Sequence, residues 1–145
     1  MTDLQRLHGR CLCGAVKITV DGAHVPQPGA CHCRMCQRWS GGIFMCFEAA
    51  PDAVTIEGEV ACFASSSFSE RAFCPKCGSH LWMRNTDVPG ENYELMPGLF
   101  DEARSWPMRS EIYVDDAIVR LAGDHPTATR AQYEAKNKVV EGDAQ

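Results

Sequence analysis

The sequence predicts a mainly β protein that folds as one domain over residues 1–145. Three observations carry this prediction. Short runs of alternating or apolar residues recur along the chain, turns with glycine or proline separate them, and nine cysteines call for a chemical explanation. The length suits one domain with a buried core, and no repeat, long linker or low-complexity segment divides the chain.

The elements follow from these patterns in chain order. Residues 1–10 are expected to be an irregular lead-in, and residues 11–20 a strand, because apolar and polar residues alternate along its second half. Residues 31–33 read as extended, with a turn that brings Cys36 back, and residues 39–42 as a turn. Similar runs predict later strands at residues 43–49, 54–56, 60–64, 71–73, 80–83 and 111–114.

Three further segments complete the pattern. Gly58-Glu59 is expected to be a hairpin turn between neighbouring strands. Turn signals and one strand are expected between residues 85 and 107. A C-terminal helix is predicted from Pro126 and Thr127 through about residue 139, with Thr127 as its N-cap, before a frayed tail at residues 141–145.

Composition limits the classes of function. A formal net charge of −5 argues against a nucleic-acid backbone as partner, and no apolar run approaches the ~20 residues that span a bilayer. Residues 1–6 lack the apolar segment of a secretory signal, so a reducing cytoplasm is the expected location. We expect no nucleic-acid partner and no membrane partner, and we predict no particular oligomeric state.

The cysteines are predicted to bind metal rather than to form disulfides. Their odd number, the chain length and the expected compartment all disfavour a disulfide framework. Cys11-x-Cys13 and Cys74-x-x-Cys77 together supply four thiolates, which is the ligand set of a closed structural zinc site. The glycine after Cys77 permits the positive φ that such a turn requires.

A second group contains only three cysteines. Cys31, Cys33 and Cys36 lie within six residues, and three protein ligands with one exchangeable position are typical of catalytic zinc. A fourth protein ligand would close this site instead. The candidates for that ligand are Cys46, Cys62, His32 and His80.

An open site of this kind favours thiol chemistry. Three thiolates exceed the 2+ charge of zinc, so the centre is a weak Lewis acid toward water and hydrolysis is disfavoured. A small thiol bound there is held as thiolate at neutral pH, where a free thiol is mostly protonated. We therefore expect two zinc ions per chain, one structural and one catalytic, and reversible addition of a small thiol to a small aldehyde.

Three motifs in this order resemble those of the glutathione-dependent formaldehyde-activating enzyme family, which includes the centromere protein V group: Gly9-x-Cys11-x-Cys13-Gly14, Cys31-x-Cys33-x-x-Cys36 and Phe73-Cys74-x-x-Cys77-Gly78-Ser79. The resemblance implies an Mss4-like fold of packed antiparallel sheets with zinc knuckles and a core in about residues 8–125. It implies that the four-cysteine zinc is structural and the three-cysteine zinc is active. The family reaction joins formaldehyde and glutathione into S-hydroxymethylglutathione, as a carbon–sulfur lyase in reverse.

Residues beside the second group are candidates for binding the thiol ligand. Arg38 could hold a carboxylate of a glutathione-like molecule through bidentate hydrogen bonds, as could Arg34 and Arg71, and Trp39 could form a wall of the pocket. The chain departs from the family pattern at Glu111, where many members have histidine.

Two rival functions remain for the same residues. One is a non-catalytic zinc module for stability or partner binding, because a fold does not determine a function. The other is a redox-sensing thiol cluster that releases zinc on oxidation.

Overall fold

The computed structural model describes residues 2–3 and 5–139 and consists mainly of short β-strands. In chain order the strands are β1 (Thr2–Asp3), β2 (Leu7–Arg10), β3 (Lys17–Val20), β4 (Ala23–His24), β5 (Gly29–Cys31), β6 (Phe44–Ala49), β7 (Val54–Glu57), β8 (Ala61–Ala64), β9 (Ser69–Phe73), β10 (His80–Asn85), β11 (Tyr93–Leu95), β12 (Ser110–Ile112) and β13 (Thr127–Ala128). The α-helices in this range are α1 (Arg34–Ser40) and α2 (Arg130–Glu134), and short 3-10 helices lie at Pro51–Ala53, Pro97–Leu99, Asp101–Ser105 and Val114–Asp116. None of the described helices combines the length and apolar character needed to traverse a bilayer.

The chain folds as two compact units. The first unit comprises residues up to 26 and residues 46–106, and the second unit comprises residues 27–45 and those from 107 onward. Each unit therefore draws on separated parts of the chain. The expectation of a single domain over residues 1–145 stays a prediction.

The first unit contains two antiparallel sheets. In the larger one the strands pair in the order β4, β6, β11, β10, β9 and β8, and β1 pairs with β4. The smaller sheet has the order β2, β3 and β7. Side chains alternate between the two faces of each strand, so the apolar ones lie on the inner faces. The inner faces of the two sheets meet in one core.

Aromatic contacts fill the centre of this core. The ring of Phe47 makes edge-to-face contacts with Phe100, at 5.4 Å between centroids, and with Trp106, at 5.0 Å. Such pairs contribute about 1 kcal/mol each beyond the area they bury. Phe100 also lies against the backbone of Gly9, where a Cβ would approach the ring to 2.6 Å. The glycine therefore allows the close packing of β2 on this ring.

The second unit is built around three short parallel strands. β12 lies between β5 and β13, with Glu111 paired with Ala30 on one side and Thr127 on the other. The chain leaves β12 through Tyr113, whose φ of 56° lies in the left-handed region. This turn ends the strand and starts the 3-10 helix that follows.

The predicted fold class is confirmed: the protein is mainly β, with antiparallel sheets, cysteine knuckles and a short C-terminal helix. The strands expected at residues 43–49, 54–56, 60–64, 71–73, 80–83 and 111–114 all exist with shifted ends. β11 is the strand expected between residues 85 and 107.

Three local predictions near the N-terminus and the second cysteine group were wrong. The lead-in contains β1 and β2, which pair with later strands that the local pattern does not identify. Residues 11–16 turn back on themselves, since Cys11 N–H donates to the carbonyl of Val16 at 3.0 Å, so β3 begins only at residue 17. The predicted turn at 39–42 is the end of α1, which Gly41 closes with a φ of 80°.

Two further predictions were wrong in detail. β7 and β8 do not form a hairpin, because β7 joins β3 in the small sheet and β8 joins β9 in the large one. The C-terminal helix starts later than predicted, because Thr129 rather than Thr127 is its N-cap. Thr129 forms a reciprocal capping box with Gln132. The predicted frayed tail at 141–145 lies outside the described residues.

Candidate metal centres

The first cysteine group lies within the first unit and joins two knuckles. Cys11 and Cys13 come from the turn before β3, and Cys74 and Cys77 from the turn between β9 and β10. The second turn is closed by Gly78, whose N–H donates to the carbonyl of Cys74 at 2.8 Å and whose φ is 75°. The predicted positive φ after Cys77 is thus confirmed.

Ser79 connects the two knuckles. Its hydroxyl oxygen accepts the N–H of Leu12 at 2.9 Å, and it lies 3.2 Å from the sulfur of Cys77. The N–H of Val16 donates to the sulfur of Cys11 at 3.2 Å. These bonds orient the sulfurs toward one point.

The sulfur geometry fits zinc. The four sulfur atoms lie within 4.8 Å of one another, with 3.6 Å between Cys11 and Cys13 and 3.8 Å between Cys13 and Cys74. A tetrahedral zinc with bonds of about 2.3 Å to sulfur requires sulfurs about 3.8 Å apart. The group could therefore hold zinc without rearrangement.

The thiols of this group differ in acidity. Hydrogen bonds from the hydroxyl and N–H of Ser79 lower the pKa of Cys77 to about 5. An N–H from Ala15 favours the Cys13 thiolate, but burial and the other thiols outweigh it and raise the pKa of Cys13 to about 11. The pKa of Cys11 is also lowered, so the group contains thiols of lowered and of raised pKa, and a bound cation would favour the thiolate form of all of them.

The second cysteine group lies within the second unit and is local in sequence. Cys31 ends β5, Cys33 is the N-cap of α1, and Cys36 lies in its first turn. The Cys33 sulfur accepts the N–H of Cys36 at 3.4 Å, and the three sulfurs lie within 4.8 Å of one another. The predicted extended segment is present, since Cys31 ends a strand and Cys33 has an extended backbone with φ −61° and ψ 153°. The predicted turn that brings Cys36 back is the first turn of α1.

This environment disfavours isolated thiolates. Hydrogen bonding among the three thiols, together with burial, raises the pKa of Cys31 well above its ordinary value. Cys33 and Cys36 are both buried. Three thiols so close together are the donor set of a soft divalent cation, and zinc fits this set.

Within the described residues, this group of possible ligands contains three sulfurs. His32 points into a buried contact with Glu111, and the thiol of Cys46 donates to a carboxylate oxygen of Glu94 at 3.3 Å. Cys62 is exposed on β8, and His80 is half-buried on β10. None of these four residues belongs to either metal-ligand group.

The candidate ligand-binding residues have different environments. Arg38 is exposed at the end of α1. Trp39 is half-buried, with its ring 6.0 Å from that of Phe44. Arg34 is exposed at the start of the same helix, whereas Arg71 is buried in the first unit. The ligand-binding roles of Arg38 and Trp39 stay predictions.

Sequence reasoning missed two buried histidines. The prolines near His24 and His125 predict exposed loop positions for both side chains, but the structure buries both. His24 stacks on Trp106 at 6.0 Å and is 1% exposed, and the side chain of His125 is 5% exposed against Glu111. The signal available in the sequence was Glu111 itself, because a carboxylate within an otherwise buried strand requires hydrogen-bond donors.

The chain is thus a cysteine-rich, mainly β protein with two groups of cysteines that could each hold a metal ion. The sequence profile of the glutathione-dependent formaldehyde-activating enzyme family matches residues 6–116. The chain belongs to this family, and the resemblance inferred from its three motifs is confirmed.

Two relatives of known name show substantial identity. A Schizosaccharomyces pombe protein named as an uncharacterized lyase is 34% identical over 110 residues, which cover 74% of this chain and 78% of the relative. A Halomonas elongata protein provisionally named as a glutathione-dependent formaldehyde-activating enzyme is 33% identical over 86 residues, or 53% of this chain and 55% of that protein.

A crystal structure shares the fold. It is of a Rhodobacter sphaeroides protein with 20% sequence identity and a TM-score of 0.55, and the match covers 83% of this chain and 98% of that chain. At this identity the likeness concerns the fold alone.

Proposed function

We propose that this protein is a zinc-dependent carbon–sulfur lyase that reversibly joins glutathione, or a similar small thiol, to formaldehyde or another small aldehyde. The observation that carries the proposal is the Cys31, Cys33 and Cys36 group, whose sulfurs lie within 4.8 Å of one another in a chain of this family. A reducing cytoplasm is the compartment that keeps these thiols in the required state.

The two cysteine groups have different roles in this proposal. The four-thiol group holds a structural zinc, because its ligand set is complete. Cys31, Cys33 and Cys36 would hold a catalytic zinc that activates the substrate thiol. Two zinc ions per chain follow from this assignment.

When bound there, zinc supplies a position at which a substrate thiol is stabilised as thiolate. In the net reaction the thiol sulfur forms a bond to the carbonyl carbon and the carbon–oxygen π bond breaks. The proton that leaves the thiol ends on the former carbonyl oxygen. The product is a hydroxyalkyl thioether of the S-hydroxymethylglutathione type, and the reverse reaction breaks the same carbon–sulfur bond.

The chain's own residues supply orientation. Cys33 and Cys36 are held close together by the cap and first turn of α1, with their sulfurs and that of Cys31 within 4.8 Å of one another. Arg38 and Trp39 follow on the same helix, and we assign them to the ligand, with Arg38 binding a carboxylate and Trp39 contacting apolar parts.

The test is a native mass spectrum of the purified protein with and without glutathione. We expect two zinc ions and a saturable glutathione adduct, with loss of one zinc and of the adduct in Cys33→Ser. Cys62→Ser, which changes an exposed thiol outside both groups, is the matched control and should retain both. Two zinc ions without an adduct would favour a non-catalytic module, and a single zinc would leave the trio as a thiol cluster.

Substrate orientation is tested separately. Arg38→Ala should weaken glutathione binding without changing the zinc content, whereas unchanged affinity would remove Arg38 from the site.

The reaction itself is tested by NMR exchange spectroscopy, which measures how fast free glutathione and formaldehyde interconvert with their adduct. The protein should accelerate this exchange, and Cys33→Ser should not.

A further inference from the structure

The residue between the first two ligands of the three-cysteine group has an unusually complete set of partners. The Nε2 atom of His32 lies 2.8 Å from Oε1 of Glu111, and both side chains are almost fully buried. The N–H of His32 donates to the carbonyl of Ile112 at 3.0 Å. Its own carbonyl accepts the side-chain amide of Gln37 at 2.6 Å. Thus both peptide groups and the ring of His32 are held.

Glu111 in turn joins two segments. Its Oε1 atom also lies 3.4 Å from the N–H of Leu121, and its Oε2 atom accepts a hydrogen bond from Nε2 of His125. Leu121 and His125 belong to the loop that follows the 3-10 helix of the second unit, at residues 117–126. One carboxylate therefore connects residues 31–36, which carry the three cysteines, to the loop at residues 117–126.

Hydrogen-bond donors meet both oxygens of the Glu111 carboxylate. Both imidazoles meet the carboxylate through Nε2, so an ionised Glu111 accepts one N–H from each of them. Burial alone would raise the pKa of Glu111, but the hydrogen bonds from His125, His32 and the Leu121 N–H lower it below its usual value. The full burial of an ion is thus compensated by three donors.

We propose that Glu111 is a positioning residue that holds the Cys31, Cys33 and Cys36 group in shape through His32, and couples it to the 117–126 loop through His125. This role rests on the proposed zinc site. Because His32 lies between Cys31 and Cys33, fixing its ring and peptide groups fixes the backbone that carries both sulfurs. Partners beyond the direct ligands commonly change metal affinity by about 10–100-fold when removed.

His125 should affect zinc binding although it is far from the cysteines along the chain. His125 is 89 positions from Cys36 along the chain and is not a ligand, but its loss leaves one oxygen of Glu111 without a donor. Glu111→Gln acts at the centre, because an amide presents only one acceptor oxygen and its NH2 faces the other imidazole. His125→Gln is the conservative variant, since its side-chain amide can still donate to Glu111.

The experiment measures transfer of zinc from the zinc-loaded full chain to a chromogenic chelator, with zinc content determined by native mass spectrometry. We expect a slow phase from the four-thiol group and a faster phase from the three-thiol group. Glu111→Gln and His125→Ala should each accelerate the faster phase by about 10-fold or more, and His125→Gln should restore it. The slow phase should not change in any of them.

Asp115→Asn is the matched control, because it removes an exposed carboxylate of the second unit whose Oδ1 atom accepts the Arg130 N–H outside the Glu111 contact. It should release zinc like the unmodified chain. Two zinc ions with an unchanged faster phase in both Glu111→Gln and His125→Ala would overturn the positioning role and leave the zinc site intact. A chain that carries only one zinc would overturn the proposed site itself, and the positioning role with it.

Discussion

Substitution of Cys74 by serine tests the structural role of the four-thiol group. Cys74 is fully buried and lies 61 positions from Cys13, whose sulfur is 3.8 Å away. A link that closes a loop of this length stabilises the folded chain by about 4 kcal/mol through the entropy of the unfolded state. Loss of a zinc ligand should therefore remove a large part of a total stability of about 5–15 kcal/mol.

Urea unfolding followed by tryptophan fluorescence measures this effect. With a slope of about 2 kcal/mol per molar urea, the midpoint should fall by about 2 M in zinc-containing buffer. Cys62→Ser, at an exposed position, should change the free energy of unfolding by less than about 0.5 kcal/mol, which is a midpoint shift of less than about 0.25 M. Refolding both the unmodified chain and Cys74→Ser in excess chelator separates metal loss from packing, because the difference between them should then nearly vanish.

Two results would contradict the reasoning. A midpoint for Cys74→Ser close to that of the unmodified chain in zinc buffer would mean that the group does not crosslink the first unit through metal. A large difference that persists in chelator would assign the effect to packing of the buried side chain.

Two further predictions concern the first unit. Gly58→Ala should destabilise the protein by more than about 2 kcal/mol in urea unfolding, because Gly58 has a φ of 103° and a Cβ would lie 2.1 Å from the carbonyl oxygen of Ala15. Gly42→Ala, where a Cβ meets nothing within 4 Å, should be nearly neutral, and equal effects would refute the steric argument. Burial raises the pKa of Glu94, a shift that its hydrogen bond from Cys46 only partly opposes. The neutral carboxyl is therefore favoured in the folded state. The stability that this preference contributes is lost as the pH rises from the pKa of about 4.3 in the unfolded chain through the higher pKa in the folded chain. Glu94→Gln should gain stability relative to the unmodified chain over that rise, and a constant difference from pH 4 to 7 would contradict the shift.

The sequence predicts the cysteine groups well because their determinants are local. Two thiols in a knuckle need only a tight turn, and a glycine at position 78 adopts the required positive φ. Few other arrangements than metal ligation satisfy cysteines at such spacings, so chemistry restricts the structure strongly. Spacing therefore identifies the two pairs and the set of three, but only the tertiary fold brings Cys11 and Cys13 to Cys74 and Cys77 and leaves Cys46 outside the set of three.

Strand partners were not predictable in the same way. Alternation identifies β7 and β8 as strands, but the residues between them give no information about which strand each will join. A short glycine-containing connection is typical of a hairpin. Here Gly58 instead packs against the backbone of Ala15, a contact between residues 43 positions apart.

The buried histidines show the same limit. A histidine beside a proline reads as a loop residue, and His125 does lie in a loop. Its side chain is nevertheless buried, because it forms a hydrogen bond with Glu111, which lies 14 positions away along the chain on β12. Partners for a buried ion are set by tertiary structure, although the need for such partners is visible in the sequence.

The two cysteine groups also differ in what metal binding can do for the fold. A crosslink across the five positions from Cys31 to Cys36 restricts the unfolded chain by only about 2 kcal/mol, about half the value for Cys13 and Cys74. The three-cysteine loop is in addition held by the backbone bonds of His32 and the cap of α1, which do not depend on metal. A zinc ion bound at this group could therefore leave or exchange ligands without unfolding the chain, as the proposed catalytic role requires. At the four-thiol group, which crosslinks distant segments, the loss of a zinc ion would cost more stability.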